Sequence, residues 1–451
     1  MRLTWAQPED LLAHELVQSE AEGKDVSGVL DRWVAAGGDP TPRVSGASEA
    51  RAERRLRTLA GVLLDELDAT VAPPDPSQPA EWADLARLVG AATVVRPGRD
   101  LGERLEGAWT GRAAGCVLGK PVEKIPRQGI EEILRSTGRW PLDRYFTAVG
   151  LPADVAARWP WNRRSAPTSL EENISGAPED DDLNFPMLGL LLLERHGFGF
   201  TTDDVAQLWL DQLPAGRVFT AERAAYRNLL EAYAAPETAR LRNPFREWIG
   251  ALIRADVYGW TAPGQPLRAA ELAWRDARLS HTRNGLYGAM WAAALAATAV
   301  VADSVEAVLD TASAVVPPES ALAEAIELGR RTGRHGGTLA DGLDELHRHY
   351  GHLHWVHVLP NAATIAFALE RGGGRYGDSV CAAVTAGWDT DSVGATVGGV
   401  VGALVGVQGI GEEWSGPIAG RIATSLPGGE QRIVDLAART SLLADELRRT
   451  R

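Results

Sequence analysis

The stretch GWDTDSVGATVGGVVGALVG, residues 387–406, decides which fold this chain adopts. It opens on two aspartates alternating with hydroxyls and continues as a run of Gly, Ala and Val. Extended to Gly411, the run approaches the roughly 20 apolar residues of a membrane span. Its small residues and the aspartates directly before it argue against insertion, because low hydrophobicity and charged flanks both raise the cost. The similar run GLYGAMWAAALAATAVVA, residues 285–302, invites the same question. Both read as buried helices whose small residues let neighbouring helices approach closely.

Outward from these runs, apolar residues recur at helical spacing from Leu101 onward, separated by Gly, Pro and Asp loops, and few stretches alternate as strands do. The spacing predicts helices over 103–117, 183–196, 202–212, 221–234, 266–277, 285–302, 320–333, 361–371, 376–386 and 393–406. The fold class is therefore all-α. Residues 9–20 and 48–67 are polar helical stretches with no visible chemistry. The prolines of VAPPDPSQP, residues 71–79, forbid helix continuation. The chain accordingly divides into an N-terminal helical extension, residues 1–95, and a main domain, residues 96–451.

The 451 residues, 45% hydrophobic and 24% charged, have the composition of a water-soluble globular protein with a sizeable core. A formal charge of -14 argues against a nucleic-acid partner, which needs a clustered basic surface. Cys116 and Cys381 are the only cysteines, so neither a disulfide framework nor a cysteine-rich zinc site is expected. With acidic residues where a signal peptide needs a basic start, the expected location is cytoplasmic, with no membrane partner.

Two oxygen-rich constellations carry chemistry. In EDDDLNF, residues 179–185, Asp180, Asp181 and Asp182 precede an apolar helix. One aspartate would cap it; three exceed what capping requires, and each pair repels by roughly 1 kcal/mol at about 4 Å in water. In GWDTDS, Asp389, Asp391 and Ser392 again gather oxygens at a helix start, a donor set suited to hard divalent cations. Each cluster alone also reads as a solvated acidic turn. If the five aspartates converge, two Mg²⁺ ions nearly balance their charge, with Mn²⁺ as the alternative ion.

Four motifs in order, LEGAWTGRAAGCVLGKPVE (105–123), EDDDLNF (179–185), SHTRNGLYGAMWAAALA (280–296) and GWDTDSVGATVGGVVGALVG (387–406), resemble the ADP-ribosylglycohydrolase family from about residue 101 to 426. The resemblance implies a compact all-α domain whose two-Mg²⁺ site cleaves a glycosidic bond at the anomeric carbon of ADP-ribose. It implies Asp180, Asp181, Asp182, Asp389, Asp391 and Ser392 as metal ligands, with Asp182 and Asp391 central. Glu123 matches a family glutamate at the metals and Asp256 an acidic position near the catalytic water; together they would serve as the acid/base pair. For Glu123 the bland alternative is a surface glutamate, and for Asp256 a salt bridge with Arg254 or another arginine. His357 and Asn361 would border the substrate pocket, and His281 and Asn284 the loop into the next helix, where His281 is better suited to ordering a turn. The family's Thr-Asp-Asp-Thr reads Asp180-Asp181-Asp182-Leu183 here, a change that bears on metal affinity and substrate.

Other features are weaker. Gly115 and Gly119 read as points where backbone approaches a ligand. The arginines of WNRRSAP, residues 161–167, are read as a solvated loop or as forked donors to a diphosphate. The histidines of HRHYGHLHWVH, residues 347–357, lack a recurrent zinc spacing and suit packing. The expected activity is Mg²⁺-dependent hydrolysis of a small-molecule ADP-ribosyl or related ribosyl substrate, or of an ADP-ribosylated protein. The alternatives are a nucleoside or nucleotide N-glycoside hydrolase of the same family and a non-catalytic ligand-binding module.

Overall fold

Helix dominates the computed structural model, which describes residues 2–41, 46–90, 98 and 100–449. Among these residues the named strands are Arg421–Ile422 and Gln431–Arg432, paired antiparallel. The all-α expectation holds, and among the described residues no helix is long and apolar enough to cross a membrane. The helix Arg283–Ala299 is buried on every face, as a helix that is apolar all round must be. Around it pack Pro266–Ala277, Gly250–Ile253, Asp256–Trp260 and Val305–Ser313.

The helices Leu101–Gly119 and Thr390–Val405 form the most intimate pair. Gly107, Gly111, Gly115 and Gly119 recur every four residues and so share one face. They meet Gly402, Gly398, Gly394 and the Thr390 carbonyl respectively, which makes the pair antiparallel. A Cβ on Gly115 would stand 2.0 Å from Gly394 O, and one on Gly119 would stand 2.1 Å from Thr390 O. This corrects the reading of Gly115 and Gly119 as ligand contacts: they admit another helix's backbone, the role foreseen only for its partner run. The seam ends with the close of the first helix beside the start of the second, where Thr390 Oγ1 donates to Gly119 O at 2.8 Å.

The N-terminal segment packs on this body. Helices Pro8–Ala21 and Arg54–Ala69 lie against each other and place Leu12, Leu63 and Leu67 in the same hydrophobic core as the later helices. Glu15 accepts two hydrogen bonds from Arg246, each 2.9 Å, and Gln18 donates to Glu247 at 2.8 Å. Residues 71–79 run without helix, as their prolines require, and are strapped down by Tyr287, whose hydroxyl donates to Pro79 O at 2.7 Å. The division placed between residues 95 and 96 lies outside the described residues.

Candidate metal and active site

Three chain segments bring carboxylates to the lower end of the glycine seam. Asp180 is the N-cap of helix Asp181–His196, its Oδ1 accepting from Asp182 N at 2.9 Å, and this sets Asp181 and Asp182 in the first turn. Asp389 precedes helix Thr390–Val405, and Asp391 and Ser392 lie in its first turn. Glu123 follows the single turn Lys120–Val122 that closes the first-motif helix. Ser392 Oγ donates to Asp182 Oδ2 at 3.2 Å, so the two acidic motifs meet although 210 residues separate that pair.

Two groups of potential ligand atoms result, each within 4.8 Å of one another: Glu123, Asp389 and Asp391, and Cys116, Asp180 and Asp182. Asp182, Asp389, Asp391 and Ser392 are buried, whereas Asp180, Asp181 and Glu123 are half-buried. Asp182 Oδ1 is buried without a hydrogen bond, its nearest cation being Arg112 at 3.5 Å. The three carboxylates of Glu123, Asp389 and Asp391 fit a bound divalent cation, which would be met by hard oxygen donors.

Electrostatics point the same way. Burial, then the neighbouring Asp391 and Glu123, push Asp389 far above the usual carboxylate range. Burial, then Glu123 and Asp180, push Asp391 up to about 7. Asp181 and Asp182 are raised by burial and by Asp180. Burial would raise Asp180 too, but the Lys120 ammonium beside it outweighs this and holds it below the usual range. Charged carboxylates packed this closely are costly unless cations compensate them.

The remaining candidates divide by location. Asn361 belongs to the centre: its Oδ1 accepts from Asp389 N at 3.4 Å and its Nδ2 donates to His357 O at 2.8 Å. His357 itself caps helix Val358–Gly372, its ring accepting from Leu359 N at 3.2 Å. Asp256 lies outside both ligand groups. It is buried and ion-paired with Arg112, which also donates to the carbonyls of Asp182 and Ile253. Its Oδ1 is buried without a hydrogen bond, and burial pushes the carboxyl up to about 6. The sequence alternative of an arginine pair is thus realised with Arg112, while Arg254 pairs with Glu222 and Asp276.

His281 and Asn284 are not brought to the aspartates. His281 Nδ1 lies 2.8 Å from Ser280 Oγ within the Arg254 network, and burial holds the ring well below its ordinary value. Asn284 donates to Glu247 and accepts from Leu322 N at 3.0 Å. The histidine run packs: His347 stacks on Trp388 at 3.9 Å and His354 on Trp248 at 4.2 Å. Among the described residues neither ligand group contains a histidine.

Sequence reasoning missed Lys120, Arg112 and Asn162. Lys120 forms an ion pair with Asp180. Asn162 Nδ2 donates to Glu123 Oε2 at 2.6 Å, fixing that carboxylate at the edge of a cavity of about 440 Å³. Lys124, Trp159 and Arg163 also line this cavity, which places one arginine of the WNRRSAP stretch beside Glu123. A signal for Lys120 existed in a chain whose only lysines are Lys24, Lys120 and Lys124.

A solved structure described as an ADP-ribosylglycohydrolase-related protein complex is similar at 21% identity and a TM-score of 0.47, covering 77% of this chain and 99% of that one. No curated protein matches the chain. Residues 97–450 match the ADP-ribosylglycohydrolase family, and the chain belongs to that family.

Proposed function

We propose that this protein is a divalent-cation-dependent hydrolase that cleaves the glycosidic bond at the ribose anomeric carbon of an ADP-ribosyl or related ribosyl substrate. The observation that carries this reading is the contact of Ser392 with Asp182, which joins two distant acidic motifs into one centre. Asp389 and Asp391, with Glu123 beside them, would hold the cation, and this all-oxygen group favours Mg²⁺, with Mn²⁺ as its substitute. When bound, such a cation orients ribose hydroxyls and lowers the pKa of a coordinated water.

The chain's own residues supply the rest. Glu123 stands at the cavity edge with Oε2 accepting from Asn162 and Oε1 3.5 Å from Lys124 Nζ, and it would take the proton of a water attacking the anomeric carbon. The bond from that carbon to the leaving group breaks through an oxocarbenium-like state, and the leaving atom takes the electron pair and then the proton that Glu123 received from the water. Asn361 holds the Asp389 backbone, and Arg112 holds the Asp182 carbonyl, so both are positioning residues. Asp256 acts through Arg112 and is a positioning residue as well.

The test offers the purified protein ADP-ribosyl-arginine, ADP-ribosyl-serine, simple nucleosides and nucleotides, with Mg²⁺, Mn²⁺ or a chelator, and detects ribosyl products by mass spectrometry. Cation-dependent release from at least one is expected, and the identity of that one names the leaving group. Asp182→Ala should lower the rate by about 100-fold or more. Binding of ADP-ribose with no turnover of any compound would replace the hydrolase with a ligand-binding module.

A further inference from the structure

Resting on the glycohydrolase reading above, the structure assigns Lys120 the place of a second cation: its ammonium fills the Cys116–Asp180–Asp182 side of the centre, and one divalent ion binds at the Glu123–Asp389–Asp391 side. The two ligand groups are chemically unequal. Glu123, Asp389 and Asp391 offer three carboxylates, the donors a hard divalent cation selects. The other group offers a fully buried thiol, Cys116, which is a soft donor and a poor partner for Mg²⁺.

Three of its four carboxylate oxygens already accept hydrogen bonds. Asp180 Oδ1 accepts from Asp182 N at 2.9 Å and Oδ2 accepts from Lys120 Nζ. Lys120 Nζ also lies 3.4 Å from the Glu179 carbonyl. Asp182 Oδ2 accepts from Ser392 Oγ, and Oδ1 lies 3.5 Å from Arg112. A dication entering here would have to expel the ammonium from Asp180 or sit against it.

Expulsion has no ready route. Lys120 is 6% exposed, and its backbone is set by the end of the Leu101–Gly119 helix, by Pro121 after it and by the Gly119 contact with Thr390. The position also suits a permanent cation, since it lies at the carbonyl end of a 19-residue helix. The ammonium is therefore built into the fold, where it offsets one carboxylate.

Manganese titration of the full-length protein tests this, with the metal content measured by mass spectrometry and the environment by electron paramagnetic resonance. The wild type is expected to hold one tightly bound Mn²⁺ with an uncoupled six-line spectrum. Lys120→Met should take up a second ion and show an exchange-coupled spectrum, and Lys120→Arg, which keeps the charge, should stay at one. Two coupled ions in the wild type would overturn the assignment and leave the glycohydrolase reading standing; no bound Mn²⁺ would overturn both. A folded Lys120→Met protein that still binds one ion also overturns it. Where Lys120→Met does not fold, the wild-type count decides.

Discussion

Arg112 shows what a single side chain does in this molecule. Its guanidinium is fully buried and touches Asp182, Ile253 and Asp256, so it neutralises one carboxylate while orienting the residue that carries another. Removing one member of a buried ion pair leaves the other desolvated and unpaired, at a cost of about 3–5 kcal/mol. Arg112→Met should lose that much stability in urea denaturation, and adding Asp256→Leu should restore most of it. If the double variant is no more stable than Arg112→Met, the ion pair is not what Arg112 contributes. The aspartates of both motifs were legible in the sequence because oxygen donors crowd within a few residues of one another. The role of Arg112 was not, nor was that of Lys120 for all the rarity of lysine, since the partners that give them meaning lie 70 and 60 residues away.

Among elements, the glycine seam governs the site. Gly115→Ala would drive a methyl into Gly394 O, and because both contacting surfaces are backbone, neither can rotate aside. A loss of roughly 1–3 kcal/mol is expected, with weaker metal binding because Thr390 and the aspartates around it shift with the helix. Gly102→Ala on the same helix meets nothing within 4 Å and should gain about 0.5–1 kcal/mol. Paired thermal melts with Mn²⁺ titrations check both. The helix pattern itself was readable in part, and several of its errors lie at ends where a side chain takes over from periodicity. The helix expected from Leu183 starts at Asp181 because Asp180 caps it, and the one expected from Asn361 starts at Val358 because the His357 ring caps it. Helix Leu339–Tyr350 was overlooked although Thr338 and Asp341 form a capping box, because its histidines drew the reading toward loop and packing roles.

On the scale of the whole molecule, the N-terminal segment and the body meet through charged groups as well as apolar ones. Asp68, near the end of helix Arg54–Ala69, accepts from Arg242 N at 2.9 Å, and burial followed by Glu15 pushes its carboxyl up to about 7. The folded protein keeps this proton between about pH 4 and pH 7, whereas the unfolded chain releases it. Its stabilising contribution is therefore full below about pH 4 and is lost as pH rises through about 7. Asp68→Asn, which mimics the protonated form and can still accept from Arg242 N, should raise the melting temperature at pH 8 by about 2 °C and leave it unchanged at pH 4. Scanning fluorimetry across that range measures it. This junction was invisible in the sequence: residues 1–66 carry no motif, and their role appears only when Glu15 meets Arg246 across 231 positions.

The backbone-to-backbone seam also bears on how such a protein can diversify. Where glycine faces glycine, no larger residue can be traded for a smaller one opposite, so inheritance is locked there and the cation cradle with it. Lys124 and Arg163, on the cavity wall, answer to no such constraint. New substrates would thus be acquired at that wall, one exchange at a time, around a chemical centre that stays put.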